Sequence, residues 1–353
     1  MLYKEDWREA QERWKAWWDG EIIDRVAITI DAPRTGLNPN ETPSWATWDF
    51  CRYPLDPEMV IRRFEGFCSN THFGGEAFPN LWINLGGPIL AAYMGSQVEF
   101  RSDTVWFNPL GGWDKLLDVR FDPANEHWKL TKRLTEISVE RGKGRFIVGM
   151  TDLGGACEAL GMLRGVKNFA VDLFTREKEL KALLERLQEV FFYCYEELYQ
   201  IMLRAASGMS SWVGTWSPKR MFTLDHDLVV YMSPEKFRIF ELPYIQEECN
   251  RFEHTIYHLD GALALHHLDS LLSVPELGGI QWVPEPGQPG CESSEWMPMY
   301  RKIQKAGKLL VLSVPEDSVR SLLRELSSRG LLLRTSCRSE EKARALLESL
   351  SSP

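Results

Sequence analysis

The sequence predicts an α/β fold of parallel strands joined by crossover helices, and three features carry that prediction. From about residue 145 onward, short apolar runs alternate with longer helical patterns. The runs, such as Leu309 to Ser313 and Leu331 to Thr335, are continuously apolar rather than alternating, as expected of strands covered on both faces. The connections are short, and parallel neighbours need a crossover between them. An eight-stranded barrel, a TIM (β/α)8 barrel with an N-terminal helical and irregular extension, is the economical closed form; a doubly wound open sheet is the alternative. We expect one domain over residues 1–353. Residues 1–122 would form the extension and first elements, and 123–353 the regular β/α units.

The elements follow in order. Residues 3–20 read as an amphipathic helix carrying Trp7, Trp14, Trp17 and Trp18 at near-helical spacing. Val26 to Ile30 is a strand, residues 31–50 a loop, and Pro57 to Cys68 a helix. Residues 72–113 are punctuated by glycine and proline yet apolar enough to be ordered, and long ordered loops usually serve a site. Glu76 is the most interesting charge in that stretch. Pro123 to Arg141 is a helix, and Arg145 to Met150 a strand that ends at Thr151 and Asp152. Helices follow near 156–163 and 177–206, then a strand from Ser210 to Thr215 ending at Trp216. Ser233-Pro-Glu opens a helix with a serine cap and a first-turn proline, running to about Phe252. Thr255 to His258 is a strand, Ala262 to Leu272 a helix, and Ile280 to Val283 a strand. Helix 295–306, strand 309–313, helix 315–328, strand 331–335 and helix 339–350 complete the chain.

Composition narrows the function. The net charge of −9 with no long basic run argues against nucleic acid as the main partner. No apolar run approaches the ~20 residues of a membrane span, and the first residues carry no apolar signal region, so a cytoplasmic protein is expected. The seven cysteines are scattered without CxxC pairs, which fits reduced thiols and excludes a self-contained zinc knuckle. No GxGxxG or GxxxxGK[ST] run follows a strand, so dinucleotide and P-loop readings have no support.

In a barrel, chemistry gathers at the C-terminal strand ends. Those ends deliver Asp152, Trp216, His258 with Asp260, Trp282 with Glu285, and Cys337, while Asp227 lies on the loop before the Ser233 helix. His258 and Asp260 are two residues apart and point to one side of a strand. A histidine and a carboxylate so placed can bind a metal or move a proton, although a core histidine held by an aspartate has the same pattern. Trp82, Trp106, Trp216 and Trp282 are candidates for an aromatic substrate wall, with ordinary core packing the competing role for each.

Asp227-Leu-Val-Val-Tyr-Met-Ser-Pro-Glu-Lys-Phe-Arg, continuing to Leu242-Pro-Tyr, resembles a segment of the uroporphyrinogen decarboxylase superfamily. His258-Leu-Asp-Gly261 is similar to the H-x-C-G strand end of its methyltransferase branch, and Cys337 falls where that branch carries a late cysteine. The arginine-rich motif with which true decarboxylases grip their acidic porphyrinogen has no counterpart here. The resemblance implies a TIM barrel and a methyltransferase, with zinc held by His258, Asp260 and Cys337. It implies a methyl group passing between a small O-methyl or N-methyl substrate and a corrinoid (cobalamin) carried by a separate protein. It also implies a monomer or homodimer. Aspartate in place of the branch's cysteine makes the ligand set harder and less thiophilic. Asp152, Glu76 or Asp227 would handle the proton, and Glu285 would bind substrate. Two other readings stay open: a metal-free lyase or decarboxylase acting on a small carboxylic acid, and a non-catalytic partner of a corrinoid protein.

Overall fold

The computed structural model describes residues 1–36 and 45–351. Its thirteen described strands are β1 (Ala27–Pro33), β2 (Thr71–Gly75), β3 (Asn80–Trp82), β4 (Gln97–Phe100), β5 (Val105–Asn108), β6 (Ile147–Gly149), β7 (Met209–Ser210), β8 (Trp216–Ser217), β9 (Met221–Asp225), β10 (His254–Asp260), β11 (Gly279–Val283), β12 (Leu309–Ser313) and β13 (Leu331–Ser336). Seven form one sheet in the order β2-β1-β13-β12-β11-β10-β9, parallel throughout except for antiparallel β1 and β2. β3 and β6 form a parallel pair, while β4 with β5 and β7 with β8 form antiparallel pairs. The fold is therefore α/β with a large, mostly parallel sheet.

The ladder of the large sheet stops at β2 and β9 rather than closing on itself. Between the separate pieces run hydrogen bonds from Met150 N to Ser210 O at 2.8 Å and between the Ser211 and Thr223 hydroxyls at 2.7 Å.

Strand alternation divides the apolar residues between two cores. Leu310, Leu312, Leu331 and Leu333 face the helices. Leu309, Val311 and Leu332 face the other way, with Ala27, Ile147 and Ile256. Onto this second core the helix Trp7–Trp18 lays Trp7, Trp14 and Trp17, so its tryptophans are packing residues. On the outer side, helix Glu177–Met202 buries Leu180, Leu183, Leu184, Leu187 and Phe191 at helical spacing.

Several expectations change in detail. The strand expected over Ser210–Thr215 is two residues of β7, a turn through Trp212 and Gly214, and then β8. Strand β9 follows, where the sequence suggested only loop. The helix expected from Ser233 to Phe252 is two helices, Pro234–Phe240 and Leu242–Arg251, with Pro243 opening the second. Ser233 caps the first by accepting from Lys236 N at 3.2 Å. Of the loop expected over residues 31–50, positions 37–44 lie outside the described residues. No helix among the described residues is long and apolar enough to cross a membrane.

Candidate active site

Three adjacent parallel strands lay a polar row across the sheet. The register pairs His258 of β10 with Asp225 of β9 on one side and with Gln281 of β11 on the other. In-register residues of neighbouring strands present side chains to the same face, so the three form one array. His258 Nδ1 lies 2.9 Å from Gln281 Oε1. With Nδ1 donating to that carbonyl oxygen, Nε2 carries the free lone pair, as in a histidine oriented for ligation. The His258 ring also packs edge-on against Trp212, with centroids 4.7 Å apart.

Asp227 completes the group. Ligand atoms of Asp225, Asp227 and His258 all lie within 4.8 Å of one another. Asp225 and His258 are half-buried and Asp227 exposed, so the group stands at the rim of a recess. Asp225 Oδ1 is shielded from solvent and has no hydrogen-bond partner among the described residues. Two carboxylates and one imidazole suit a divalent cation, and the unpartnered oxygen is one of the atoms such an ion would need.

Asp152, at the end of β6, adjoins the same group. It accepts from Gly154 N at 2.9 Å. Its other oxygen meets the Asn84-Leu-Gly-Gly-Pro loop: a methyl group on Gly87 would stand 2.4 Å from Asp152 Oδ2 and 3.5 Å from Asp225 Oδ2. The glycine therefore lets backbone close over two carboxyls. Burial first, then repulsion from Asp152 and Asp227, holds Asp225 well above the usual carboxylate range. Burial also raises Asp152, opposed by the Gly154 amide and by its hydrogen bond with Asp225. Two carboxyls in such surroundings each resist ionisation.

Asp260, two residues beyond His258, is raised by burial, opposed by His258 and reinforced by Asp227 and Glu285. Glu285 leans over the turn at Gly261, where φ is +75° and an added methyl would meet Glu285 Oε1 at 2.4 Å. Gln288 Nε2 donates to its other oxygen at 3.2 Å. Asp152, Asp225, Asp227, His258, Asp260 and Glu285 thus form one acidic neighbourhood around a single imidazole.

Other sequence candidates lie elsewhere. Cys337 does not join His258 and Asp260: it follows β13, is buried in the helix-side core and faces the Glu316 carboxylate. Burial, with Glu316 adding to it, pushes its thiol up to about 12, and a thiol so placed is a packing group. Glu76 is not an acid–base group. It is fully buried and takes two 2.8 Å bonds from Arg25 and one of 2.7 Å from Ile28 N, at the opening of β1. Trp106 is 62% exposed on the β4–β5 hairpin. Trp216 is buried, donates to Ser207 O at 2.8 Å and packs on Trp7. Trp282 is buried against Trp296. Trp82 alone of the four stands near the site, 6.3 Å from Trp212.

Asp225, Gln281 and Trp212 are the site residues that the sequence reading missed. Two signals pointed to them: the alternating Asp225-His226-Asp227 run, and a lone glutamine inside the apolar strand Gly279–Val283.

No protein-family model matches the chain, and no curated protein matches it in sequence. In structure it is similar to a methyltransferase from Methanosarcina mazei, with a TM-score of 0.58 at 14% identity, covering 96% of this chain and 97% of that one. At such identity the likeness speaks for the fold.

Proposed function

We propose that the chain is a methyltransferase whose catalytic centre is the group Asp225, Asp227 and His258. The observation that carries this reading is the convergence of their ligand atoms within 4.8 Å, with Asp225 Oδ1 left without a partner. Likeness of fold to a methyltransferase supports it, as do the motifs around Asp227 and His258. The separate ladders are, in this reading, arcs of one barrel bridged by Met150–Ser210 and Ser211–Thr223, with the site at its C-terminal rim.

Asp225, Asp227 and His258 would hold a divalent cation, zinc by the family resemblance, in place of the set His258, Asp260 and Cys337. Bound there, the ion would supply Lewis acidity toward a substrate heteroatom. Gln281 fixes the His258 ring so that Nε2 faces the recess. The substrate is a small O-methyl or N-methyl compound. Its carbon–heteroatom bond would break with the electron pair staying on the heteroatom. The methyl group would pass as a cation equivalent to a reduced, nucleophilic corrinoid on a separate protein, which would supply the electron pair of the new bond. Where the departing group needs a proton, Asp152 stands beside the site to give one. The Gly86-Gly87 loop keeps water from the Asp152 and Asp225 carboxyls.

A second reading has its own observation. Asp152 and Asp225 bring two carboxyl oxygens together at Gly87. That arrangement suits a metal-free lyase acting on a small carboxylic acid, with one carboxyl as acid and His258 as the complementary base.

Metal analysis of the purified protein separates the two. Near-stoichiometric zinc, lost in Asp225→Asn and His258→Ala but kept in Cys337→Ser, supports the first reading, as does demethylation that requires added corrinoid protein. Absence of metal after zinc add-back, with corrinoid-independent release of CO2 from a small acid, would establish the second.

A further inference from the structure

A cavity of about 200 Å³ adjoins the catalytic group and holds two opposite charges that do not touch. Asp31 comes from β1 and Arg334 from β13, and both line the cavity. The register pairs Arg334 with Thr29 and Asp31 with Ser336, so the two charges are diagonal neighbours rather than partners. Among the described residues, neither side chain makes a hydrogen bond or an ion pair within 4 Å. Trp212 forms one wall, and its ring is the one that packs on His258.

Asp31 is exposed at the mouth of the cavity and Arg334 is half-buried, so each can meet a ligand without first breaking an ion pair. Asp31 and Arg334 still feel one another: burial lowers Arg334 from its ordinary value and Asp31 opposes that shift. Two further polar atoms beside them lack partners. Asn80 Oδ1 and Trp212 Nε1 are buried and unbonded, although Asn80 Nδ2 is held by Ser211 O at 2.8 Å. The opposite wall is aromatic. Trp45 lies 5.0 Å from Phe64 and 5.2 Å from Phe67, and Phe67 lies 6.3 Å from Phe73, ring centre to ring centre.

We infer that this cavity binds a small N-methylated amino-acid zwitterion. Its carboxylate lies on the Arg334 guanidinium, and its methylated ammonium lies between Asp31 and the rings of Trp45, Phe67 and Phe73. Guanidinium is matched to a carboxylate fork. Aromatic faces beside a carboxylate are the usual receptacle for a methylated ammonium, which has few or no N–H groups to satisfy. A cavity of about 200 Å³ has room for a ligand the size of trimethylated glycine. As the methyl donor, this ligand rests on the methyl-transfer reading; as a bound molecule, it does not.

The test is titration calorimetry of the full chain with trimethylglycine, tetramethylammonium and acetate, without any corrinoid protein. Trimethylglycine binds, and each half-ligand binds at least about tenfold more weakly. Arg334→Gln and the isosteric Asp31→Asn each weaken trimethylglycine about tenfold or more, with unchanged melting curves. Acetate binding as tightly as trimethylglycine, with Asp31→Asn silent, would overturn the zwitterion site in favour of an anion site. Tetramethylammonium binding as tightly, with Arg334→Gln silent, would overturn it in favour of a cation site, and no binding would overturn it outright. If trimethylglycine binds as stated but is never demethylated with corrinoid protein and metal present, the cavity assignment stands and the methyl-transfer reading falls.

Discussion

Residues 225, 226 and 227 divide two clusters that share a composition and differ in almost everything else. Asp225 and Asp227 turn toward the recess with His258. His226, between them, turns the other way, into the helices. There its Nδ1 lies 2.6 Å from Glu241 and its Nε2 3.3 Å from Glu248, all three fully buried. Burial alone would strip the imidazole of its proton, but the two glutamates outweigh it and hold His226 well above its ordinary value. Gln188 donates to Glu248 at 3.1 Å, and Glu158 accepts from the Leu228 amide. That cluster packs its charges against one another and is closed to water. The one on the recess side reaches solvent through Asp227 and gathers its ligand atoms at the rim. Both keep buried polar atoms without a hydrogen bond, so neither a histidine among carboxylates nor an unbonded oxygen is enough to mark a site; access is what separates the two.

The comparison can be broken most directly from the closed side. Glu241→Ala leaves a buried imidazolium short of a partner and should destabilise the protein by about 3–5 kcal/mol in urea titration. An equally stable variant would mean that the cluster is not charged. Asp225→Asn, on the open side, should do the reverse: loss of metal and turnover, with stability changed by less than ~1 kcal/mol, since it removes repulsion among carboxyls. Strong destabilisation would place Asp225 among the structural residues.

Two glycines give the next contrast. A methyl on Gly155 would stand 2.3 Å from the His226 ring, and one on Gly87 would stand 2.4 Å from Asp152. Gly155→Ala should lower stability by about 1–3 kcal/mol through overpacking. Gly87→Ala, at the site rim, should lower the apparent turnover rate more than the melting temperature. Equal effects of the two on melting would erase the distinction.

The smallest expected effect concerns a third histidine, His254, where β10 begins. It stacks on Trp18 at 4.1 Å and bonds the Ser217 hydroxyl at 2.8 Å. Burial first, with Lys219 adding to it, lowers it from 6.5 to about 4. A depressed histidine stabilises the fold above its unfolded value and loses that contribution as pH falls from about 6.5 through about 4. His254→Gln should flatten the denaturation midpoint across this window. An unchanged slope would show that the ring is not dry.

Much of the fold was legible in the sequence, because continuously apolar strands and capped helices leave strong patterns after residue 145. Strand β9 was not. Met221 to Asp225 is five residues long, contains one β-branched residue, and runs directly into polar sequence, so nothing local marks it. Losing β9 hid Asp225, and with it the partner that register gives His258. Asp152, His258, Asp260 and Glu285 were visible as polar groups at strand ends, and Asp227 as a charge on the loop before the Ser233 helix. Cys337 and Glu76 misled for a common reason: position along the chain does not reveal whether a side chain already has a partner. Glu76 is matched to Arg25, and Cys337 is packed among apolar groups beside Glu316.

The tryptophans of the helix Trp7–Trp18 cover the ends at which the strands begin, against Ala27, Ile147 and Leu309. If the strands close into the proposed barrel, the recess would then be a cul-de-sac with one mouth beside His258. On the proposed methyl-transfer reading, a bulky partner docked over that mouth would block exchange while it sat there. Turnover would be ordered, with small substrate first on and demethylated product last off. Product would inhibit competitively against substrate, and free partner would inhibit at high concentration by capping the empty enzyme.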